Sequence, residues 1–363
     1  MKPLEGNIMR SIRHALLAVG TAAVVAATAG CSGGDSGTAA GDAGKLVLST
    51  FPFGVEEFTE AVLDPFTAKT GIEVEVETGS NADRLSQLQV AGDKAGADVV
   101  LISDYYAALG QKDNLFQRVP ADRVPNLGQI AAFAKDGAYW GPAYSYQLNG
   151  IVYSTEAMNA EAASTWDVFA GAHKGKVALP DISVTAGQLM ISGVAASYGS
   201  GPYDVDTAFT KLGGWKPGVL QFYSSSTEVT NLLTQGEIVA ADTLNGFATN
   251  LIADGEKIAW TPPATGRYMA TNRAMVSTHA GNADNAYAFI DYLLSVEAQT
   301  KSAELVGDLP VNPGATVPAT LTAVVGDIAK DPVAAGYTAL DPTQLVPTRK
   351  DWVDRFAREV TGA

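Results

Sequence analysis

Cysteine and histidine are scarce in this sequence: its 363 residues include one cysteine, Cys31, and three histidines. A single cysteine cannot form a disulfide within the chain, so the folded part must be stabilised by an apolar core. The hydrophobic content of 47% is sufficient for such a core. Only His173 and His279 lie beyond residue 30, too few for a metal site of histidines and cysteines.

Common catalytic motifs are also missing. The sequence contains no G-x-S-x-G, no H-E-x-x-H and no phosphate-binding loop. We therefore predict that the protein is not an enzyme and needs no metal and no cofactor. A pair of carboxylates, as in some hydrolases, is the enzymatic alternative that the sequence leaves open.

Basic residues are outnumbered by acidic ones, 24 to 39, which gives a net charge of −15. Residues 1–30 carry three basic residues and one acidic residue, so the chain that follows them has a net charge of −17. A surface this acidic repels nucleic acids and attracts cations. We therefore predict no nucleic-acid partner.

Apolar runs long enough for a transmembrane helix are absent beyond residue 30. Within residues 1–30, Arg10 and Arg13 are followed by a short apolar run that ends in small residues. This pattern predicts a secretory signal peptide over residues 1–30. The cysteine that follows resembles the acylation site of bacterial lipoproteins, although Thr28 stands where that signal usually has Leu, Val or Ile. The alternative is an ordinary cleaved signal with an incidental Cys31.

The small, polar residues 31–44 predict a flexible linker, because they have no side chains that could form a core. With a lipid on Cys31, this linker would hold a folded body outside the cytoplasm, in the periplasmic space or on the outer face of the cell membrane.

Strand and helix patterns alternate along the rest of the chain, which predicts an α/β fold with parallel sheets. The first unit predicts strands at 45–50, 72–77 and 97–104, with helices at 58–69 and after Ser80 or Asn81. A second unit predicts strands at 150–155 and 175–181, a helix at 185–198, and a helix and strand within 226–246.

Three predicted strands end in an acid, namely Asp104, Asp181 and Asp242. Ligands of open α/β sheets bind beyond the carboxyl ends of the strands. Aromatic residues lie close to the same strand ends in the sequence. An acid beside an aromatic ring is a favourable environment for a cation. The alternative is that each aspartate caps the helix that follows it. The aromatic residues are Phe51, Phe53, Tyr105, Tyr106, Tyr144 and Tyr146.

Four segments, in this order and spacing, resemble the solute-binding proteins of bacterial ABC importers, most closely the spermidine/putrescine-binding branch. They are LDPFTAKTGIEVEVETGSNADRLSQL, ADVVLISDYYAALGQKDNLFQRV, STWDVFAGAHKGKVALPD and NADNAYAFIDYLLSVEAQTKSAELVGDLPVNP.

The resemblance implies the type II periplasmic-binding-protein fold, in which two lobes close over a solute and a membrane permease receives it. It implies a monomer with a first lobe at 45–145 and 266–316, a second lobe at 146–265 and a C-terminal helical tail at 317–363. The strands that cross between the lobes are expected near 144–150 and 262–274.

The match is weaker at the residues that hold the solute. Asp181 stands where the polyamine branch has an acid that binds the solute. Thr271 stands where that branch has another such acid, whereas Asp104 is an acid at a position where the branch usually has a small hydroxyl residue. Arg273 would disfavour a cation if it faced the cleft. We therefore expect an amine with few amino groups, including one of mixed charge. A thiamine-like cation is an alternative, and ferric iron a weaker one. The candidate ligand-binding residues are Phe51, Phe53, Ser80, Asn81, Asp104, Tyr105, Tyr106, Tyr146, Asp181, Asp242, Asn245 and Thr271.

Overall fold

The computed structural model describes residues 44–362, apart from residues 95 and 254. The predicted signal peptide, Cys31 and all of the linker before Gly44 lie outside the described residues. In the part of the chain that is described, none of the helices combines the length and the apolar character that crossing a membrane requires.

Eleven strands and thirteen α-helices are formed by the described residues. The strands are β1 (Lys45–Thr50), β2 (Glu73–Thr78), β3 (Val99–Ser103), β4 (Phe116–Gln117), β5 (Ala143–Ser154), β6 (Val177–Pro180), β7 (Val219–Tyr223), β8 (Ala240–Leu244), β9 (Ile258–Thr261), β10 (Met269–Ser277) and β11 (Leu309–Pro310). The helices are α1 (Val55–Phe58), α2 (Asp64–Thr70), α3 (Asn81–Ala91), α4 (Asp104–Lys112), α5 (Ala160–Ala163), α6 (Thr185–Tyr198), α7 (Val205–Trp215), α8 (Ser226–Thr234), α9 (Asn245–Ala253), α10 (Ala283–Leu293), α11 (Val296–Leu305), α12 (Ala319–Val325) and α13 (Pro342–Arg355).

The long strand β5 belongs to two half-sheets. The strand order is β2-β1-β3-β10-β5-β8-β6-β7. Residues 143–148 of β5 pair with β10 and β11, and residues 149–154 pair with β8 and β9. We call the half-sheet up to residue 148 of β5, with the helices that cover it, the first lobe. The half-sheet from residue 149 of β5 to β7, with its helices, is the second lobe.

The local sequence explains most of these elements. The residues of β3 are fully buried between parallel β1 and antiparallel β10, whereas β2 lies at the sheet edge and alternates partly buried and exposed residues. Helix α3 begins where predicted, and the Ser80 side chain caps it by accepting a hydrogen bond from the backbone N–H of Asp83 at 3.1 Å.

Three details differ from the predicted elements. The strand predicted at 150–155 is only the second half of β5, which begins at Ala143. The helix predicted at 58–69 is instead α1 and α2 joined by the π-helical turn Thr59–Leu63, and it ends at Gly71, whose φ of 75° is easily adopted by glycine. The prediction that a strand ends at Asp242 is wrong. Strand β8 continues to Leu244, because Thr243 and Leu244 still pair with Gly150 and Asn149 of β5.

The C-terminal helix α13 touches both lobes. Its Trp352, with Phe356 just beyond its end, belongs to the apolar core of the second lobe, where Phe356 packs edge-on against the ring of Phe209. Its Val346 packs against the apolar cluster around β3 and α4 in the first lobe. The tail therefore lies across the place where the lobes meet.

Strand β5 and strand β9 approach so closely at Gly150 that a side chain has no room. An added Cβ would overlap the ring of Trp260 and come within 2.7 Å of the carbonyl oxygen of Thr261. We expect Gly150→Ala to lower the free energy of unfolding by about 1–3 kcal/mol, measured by chemical denaturation. The control is Gly214→Ala in α7, where an added Cβ meets no atom within 4 Å. It should leave stability unchanged or raise it, and an equal loss in both variants would contradict the close packing at Gly150.

Candidate functional site

A cleft of about 970 Å³ is lined by residues of both lobes. It opens at the carboxyl ends of β1, β3 and β8, where α/β folds bind their ligands. Its size is within the range of small-molecule sites. From the first lobe, it is lined by Thr50, Phe51, Phe53, Ser80, Asn81, Ser103, Asp104, Tyr105, Tyr106, Tyr144 and Asp308, and from the second lobe and the tail by Ser183, Val184, Thr185, Gln188, Ser224, Leu244, Gly246, Phe247 and Arg349, among others.

Seven of the twelve predicted residues lie together in this lining. All seven follow β1, β2 or β3, because the carboxyl ends of neighbouring parallel strands meet at one edge of the sheet. They are Phe51, Phe53, Ser80, Asn81, Asp104, Tyr105 and Tyr106.

Asp104 is held firmly at the first turn of α4 and is 7% exposed. Its Oδ2 accepts hydrogen bonds from the backbone N–H of Thr271 at 3.1 Å and from the Thr271 hydroxyl at 3.4 Å, and its Oδ1 accepts one from the N–H of Tyr105 at 2.7 Å. Burial raises the pKa of Asp104, and the bonds from Thr271 oppose that shift. The side chain is thus a positioned and poorly hydrated acceptor.

Arg273 lies behind Asp104 and does not line the cleft. Its side chain is fully buried, its guanidinium is stacked 3.6 Å from the ring centre of Tyr139, and its Nη1 donates to the carbonyl oxygen of Gly141 at 3.3 Å. The charge of Arg273 also opposes the upward pKa shift of Asp104. It therefore supports the ionised carboxylate and does not face a solute directly.

A second carboxylate, Asp308, was missed by the sequence-based reasoning. It lies between α11 and β11, and the hydroxyl of Ser302 donates to its Oδ2 at 3.4 Å. Burial raises its pKa to about 6. Neither Asp308 nor Asp104 forms an ion pair with another described residue. Asp308 precedes a strand, so a search for acids that follow strands could not find it.

Aromatic rings line the same wall of the cleft. Phe51 and Phe53 are 5.5 Å apart between ring centres, and Tyr105 and Tyr106 meet edge to face at 5.0 Å. Phe53 is 72% exposed, which is unusual for so large an apolar side chain. Rings beside unpaired carboxylates form an environment suited to a cation with an apolar body.

Buried Arg84 fixes part of this wall from below. Its guanidinium lies 4.9 Å from the ring centre of Phe51, and its Nη2 donates to Oδ1 of Asn81 at 3.2 Å. Its other donors reach backbone carbonyl oxygens, including that of Leu101 at 2.7 Å. Burial lowers its pKa to about 10, so it remains charged at neutral pH. Phe51 and Asn81 are therefore oriented by their contacts with Arg84.

The second lobe and the tail contribute the opposite wall. Arg349 of α13 donates through Nε to Oε1 of Gln188 at 2.9 Å and through Nη2 to the carbonyl oxygen of Ile182 at 2.8 Å. Its guanidinium also lies 4.7 Å from the ring centre of Tyr105 in the first lobe. Arg349 was not predicted, because nothing in the tail sequence indicates that α13 reaches the cleft.

Five predicted residues do not line the cleft. Three of them are buried and make hydrogen bonds inside the protein: the Tyr146 hydroxyl donates to the carbonyl oxygen of Ala329 at 2.9 Å, Oδ1 of Asn245 accepts from the N–H of Leu148 at 2.7 Å, and Thr271 holds Asp104. Tyr146 and Asn245 support the sheet, and Thr271 acts through Asp104.

The other two are aspartates of the second lobe. Asp181 lies in the turn before α6 and accepts a hydrogen bond from the N–H of Ser183 at 2.8 Å. Asp242 is fully buried inside β8, where it accepts from Nδ2 of Asn149 at 2.8 Å, and burial raises its pKa well above the usual range. The expectation that Asp242 faces a ligand at a strand end is therefore corrected, since its strand continues past it.

Within the residues that the structure describes, no group of three or more histidine, cysteine, aspartate or glutamate side chains could hold a metal ion. The polar groups of the cleft are instead separate carboxylates, hydroxyls, amides and one guanidinium.

Comparison with known proteins identifies solute-binding proteins as similar to this chain in sequence and in structure. The family model of bacterial extracellular solute-binding proteins matches residues 61–332. The spermidine/putrescine-binding periplasmic protein of Escherichia coli K12 is 24% identical over 255 residues, which cover 68% of this chain and 72% of that protein.

A putative 2-aminoethylphosphonate-binding periplasmic protein of Salmonella typhimurium is 24% identical over 275 residues, 72% of this chain and 77% of its own. Among solved structures, an ABC transporter protein of Clostridium perfringens superposes with a TM-score of 0.76 at 28% identity, covering 87% of this chain and 99% of that one. The two-lobed fold of periplasmic binding proteins that the sequence predicted is thereby confirmed.

Proposed function

This chain belongs to the bacterial extracellular solute-binding proteins, and from that premise we propose that its cleft captures a small amine. Proteins of this family bind small solutes outside the cytoplasm and deliver them to ABC transporter permeases; they are transport proteins and not enzymes. The amine is the proposed refinement.

The observation that carries the proposal is the pair of unpaired carboxylates, Asp104 and Asp308, on one wall of the cleft. A carboxylate removed from water is costly unless a positive partner compensates it. Arg273 supplies part of that compensation to Asp104 from behind, and an ammonium group in the cleft would supply a direct partner to either carboxylate. The rings of Phe51, Phe53 and Tyr106 would cover its alkyl chain and add cation–π attraction.

The names of the two relatives support the same chemistry. Spermidine, putrescine and 2-aminoethylphosphonate all contain a primary amine. The identity of 24% with each relative is too low to assign this chain a particular solute. We therefore propose only the amine group, which these solutes share, and infer the rest of the solute from the residues of the cleft.

Titration calorimetry with a series of monoamines and α,ω-diamines tests this proposal. We expect binding, and we expect Asp104→Asn and Asp308→Asn each to weaken it by about 2 kcal/mol or more, roughly thirtyfold, because an ammonium loses its ionic partner.

The matched control is Asp122→Asn, which removes the same charge at an exposed position outside the cleft lining. It should change affinity by less than about twofold, since long-range surface charges are screened by salt. Absence of heat with every amine, in a protein shown by circular dichroism to be folded, would refute the amine proposal.

The affinity should also depend on pH, because burial raises the pKa of Asp308 to about 6. Above that pH the side chain is charged and attracts the amine; below it the side chain is neutral, while the amine keeps its proton. We expect the affinity to fall as the pH is lowered from 7.5 to 5, approaching tenfold per unit below 6. Asp308→Asn should flatten the profile, and an unchanged affinity in the native protein over that range would speak against Asp308 as a partner.

We also propose that the protein is anchored by a lipid on Cys31, which lies outside the described residues. The proposal is supported by the small residues before Cys31 and the polar linker after it. In bacterial cells, Cys31→Ser should move the protein from the membrane fraction to the soluble fraction, as detected by immunoblotting. Ser32→Ala is the control and should stay with the membrane; continued membrane residence of Cys31→Ser would contradict acylation there.

A further inference from the structure

Arg349 is the one basic side chain in the described lining of a cleft whose other charged residues are acidic. It comes from α13, far along the chain from both lobes' strands. Asp104 and Asp308 belong to the first lobe, whereas the hydrogen bonds of Arg349 are to second-lobe residues at the start of α6. The cleft is therefore acidic on one wall and basic on the other.

The guanidinium of Arg349 is oriented by contacts within the protein. Its Nε and Nη2 are occupied by Gln188 and by the carbonyl oxygen of Ile182, and both of these residues are buried. Tyr105 covers one side of the plane. Nη1 has no partner within the described residues, and guanidinium donors fit the oxygens of carboxylate and phosphonate groups.

The surroundings of Arg349 favour negative charge as well. The first turns of α6 and α9, helices of 14 and 9 residues, line the same wall through residues 185–186 and 246–247, and residues 183–184 just before α6 line it as well. Helix N-termini present unpaired N–H groups and a partial positive charge. The hydroxyls of Ser183 and Thr185 add further donors beside them.

We propose, building on the amine function above, that the solute also carries an anionic group, and that Arg349 binds this group. The solute would then be a zwitterion with its ammonium at the first-lobe carboxylates and its carboxylate or phosphonate at the second-lobe arginine. Such a molecule joins the two lobes through opposite charges. A diamine of equal length places a cation against Arg349.

Matched ligands test this directly by titration calorimetry on the full chain. At each chain length from two to five carbons, the α,ω-diamine is compared with the ω-amino acid and with the aminoalkylphosphonate. We expect one of the zwitterionic series to bind at least about tenfold more tightly than the diamine of the same length, and the preferred anion distinguishes a carboxylate from a phosphonate solute.

Variants assign the preference to Arg349. Arg349→Gln should weaken the best zwitterion at least about tenfold while changing the affinity for the matching monoamine by less than about twofold. Arg349→Lys keeps the charge and should recover part of the loss. The control is Lys350→Gln, an exposed residue on the same helix that pairs with Asp354, and it should bind like the native protein. Thermal denaturation establishes that each variant is folded.

The outcomes separate the two proposals. If diamines bind more tightly than every zwitterion, the anionic group is refuted and the amine function stands. If Arg349→Gln weakens monoamine and zwitterion equally, Arg349 only holds α13 in place and its role as an anion ligand is refuted. If no amine binds the folded native protein, both proposals fail.

Discussion

The structure depends on one constraint: β5 must hydrogen-bond in two half-sheets at once. Its first part pairs with β10 and its second part with β8, and the change of partner falls between Leu148 and Asn149. The space at that change is limited by the ring of Trp260, which only a glycine at position 150 can accommodate. The carboxyl ends of β1 and β3 in one half-sheet and of β8 in the other line the same cleft.

The two carboxylates of that cleft differ in how they are compensated. Burial raises the pKa of both Asp104 and Asp308, but only Asp104 has a buried arginine, Arg273, whose charge opposes that shift. Thr271 keeps Asp104 in position, and the hydrogen bonds of Thr271 and the charge of buried Arg273 both oppose its protonation. The aromatic residues supply apolar contact area, but the orientation of a bound molecule would be set by the charged groups, because only these distinguish one end of it from the other.

Sequence reasoning predicted the elements that local patterns determine. The strand at Lys45–Thr50 and the helix at Thr185–Tyr198 were obtained residue for residue, because apolar runs and stop signals lie next to each other in the sequence. The first-lobe wall followed from parallel strands that end together. The prediction that Asp242 ends a strand was wrong because β8 continues for two more residues, and these pair with β5, which is distant in the sequence. Asp308 and Arg349 reach the cleft through the packing of α11 and α13, which no local pattern encodes.

The position of α13 separates anchoring from lining along one helix. Both half-sheets are complete before α13 begins; its Leu345 and Trp352 are buried in the second-lobe core, and among the described residues the helix lines the cleft through Arg349. A substitution at position 349 therefore changes the charge of the cleft wall while the apolar residues that anchor the helix stay in place.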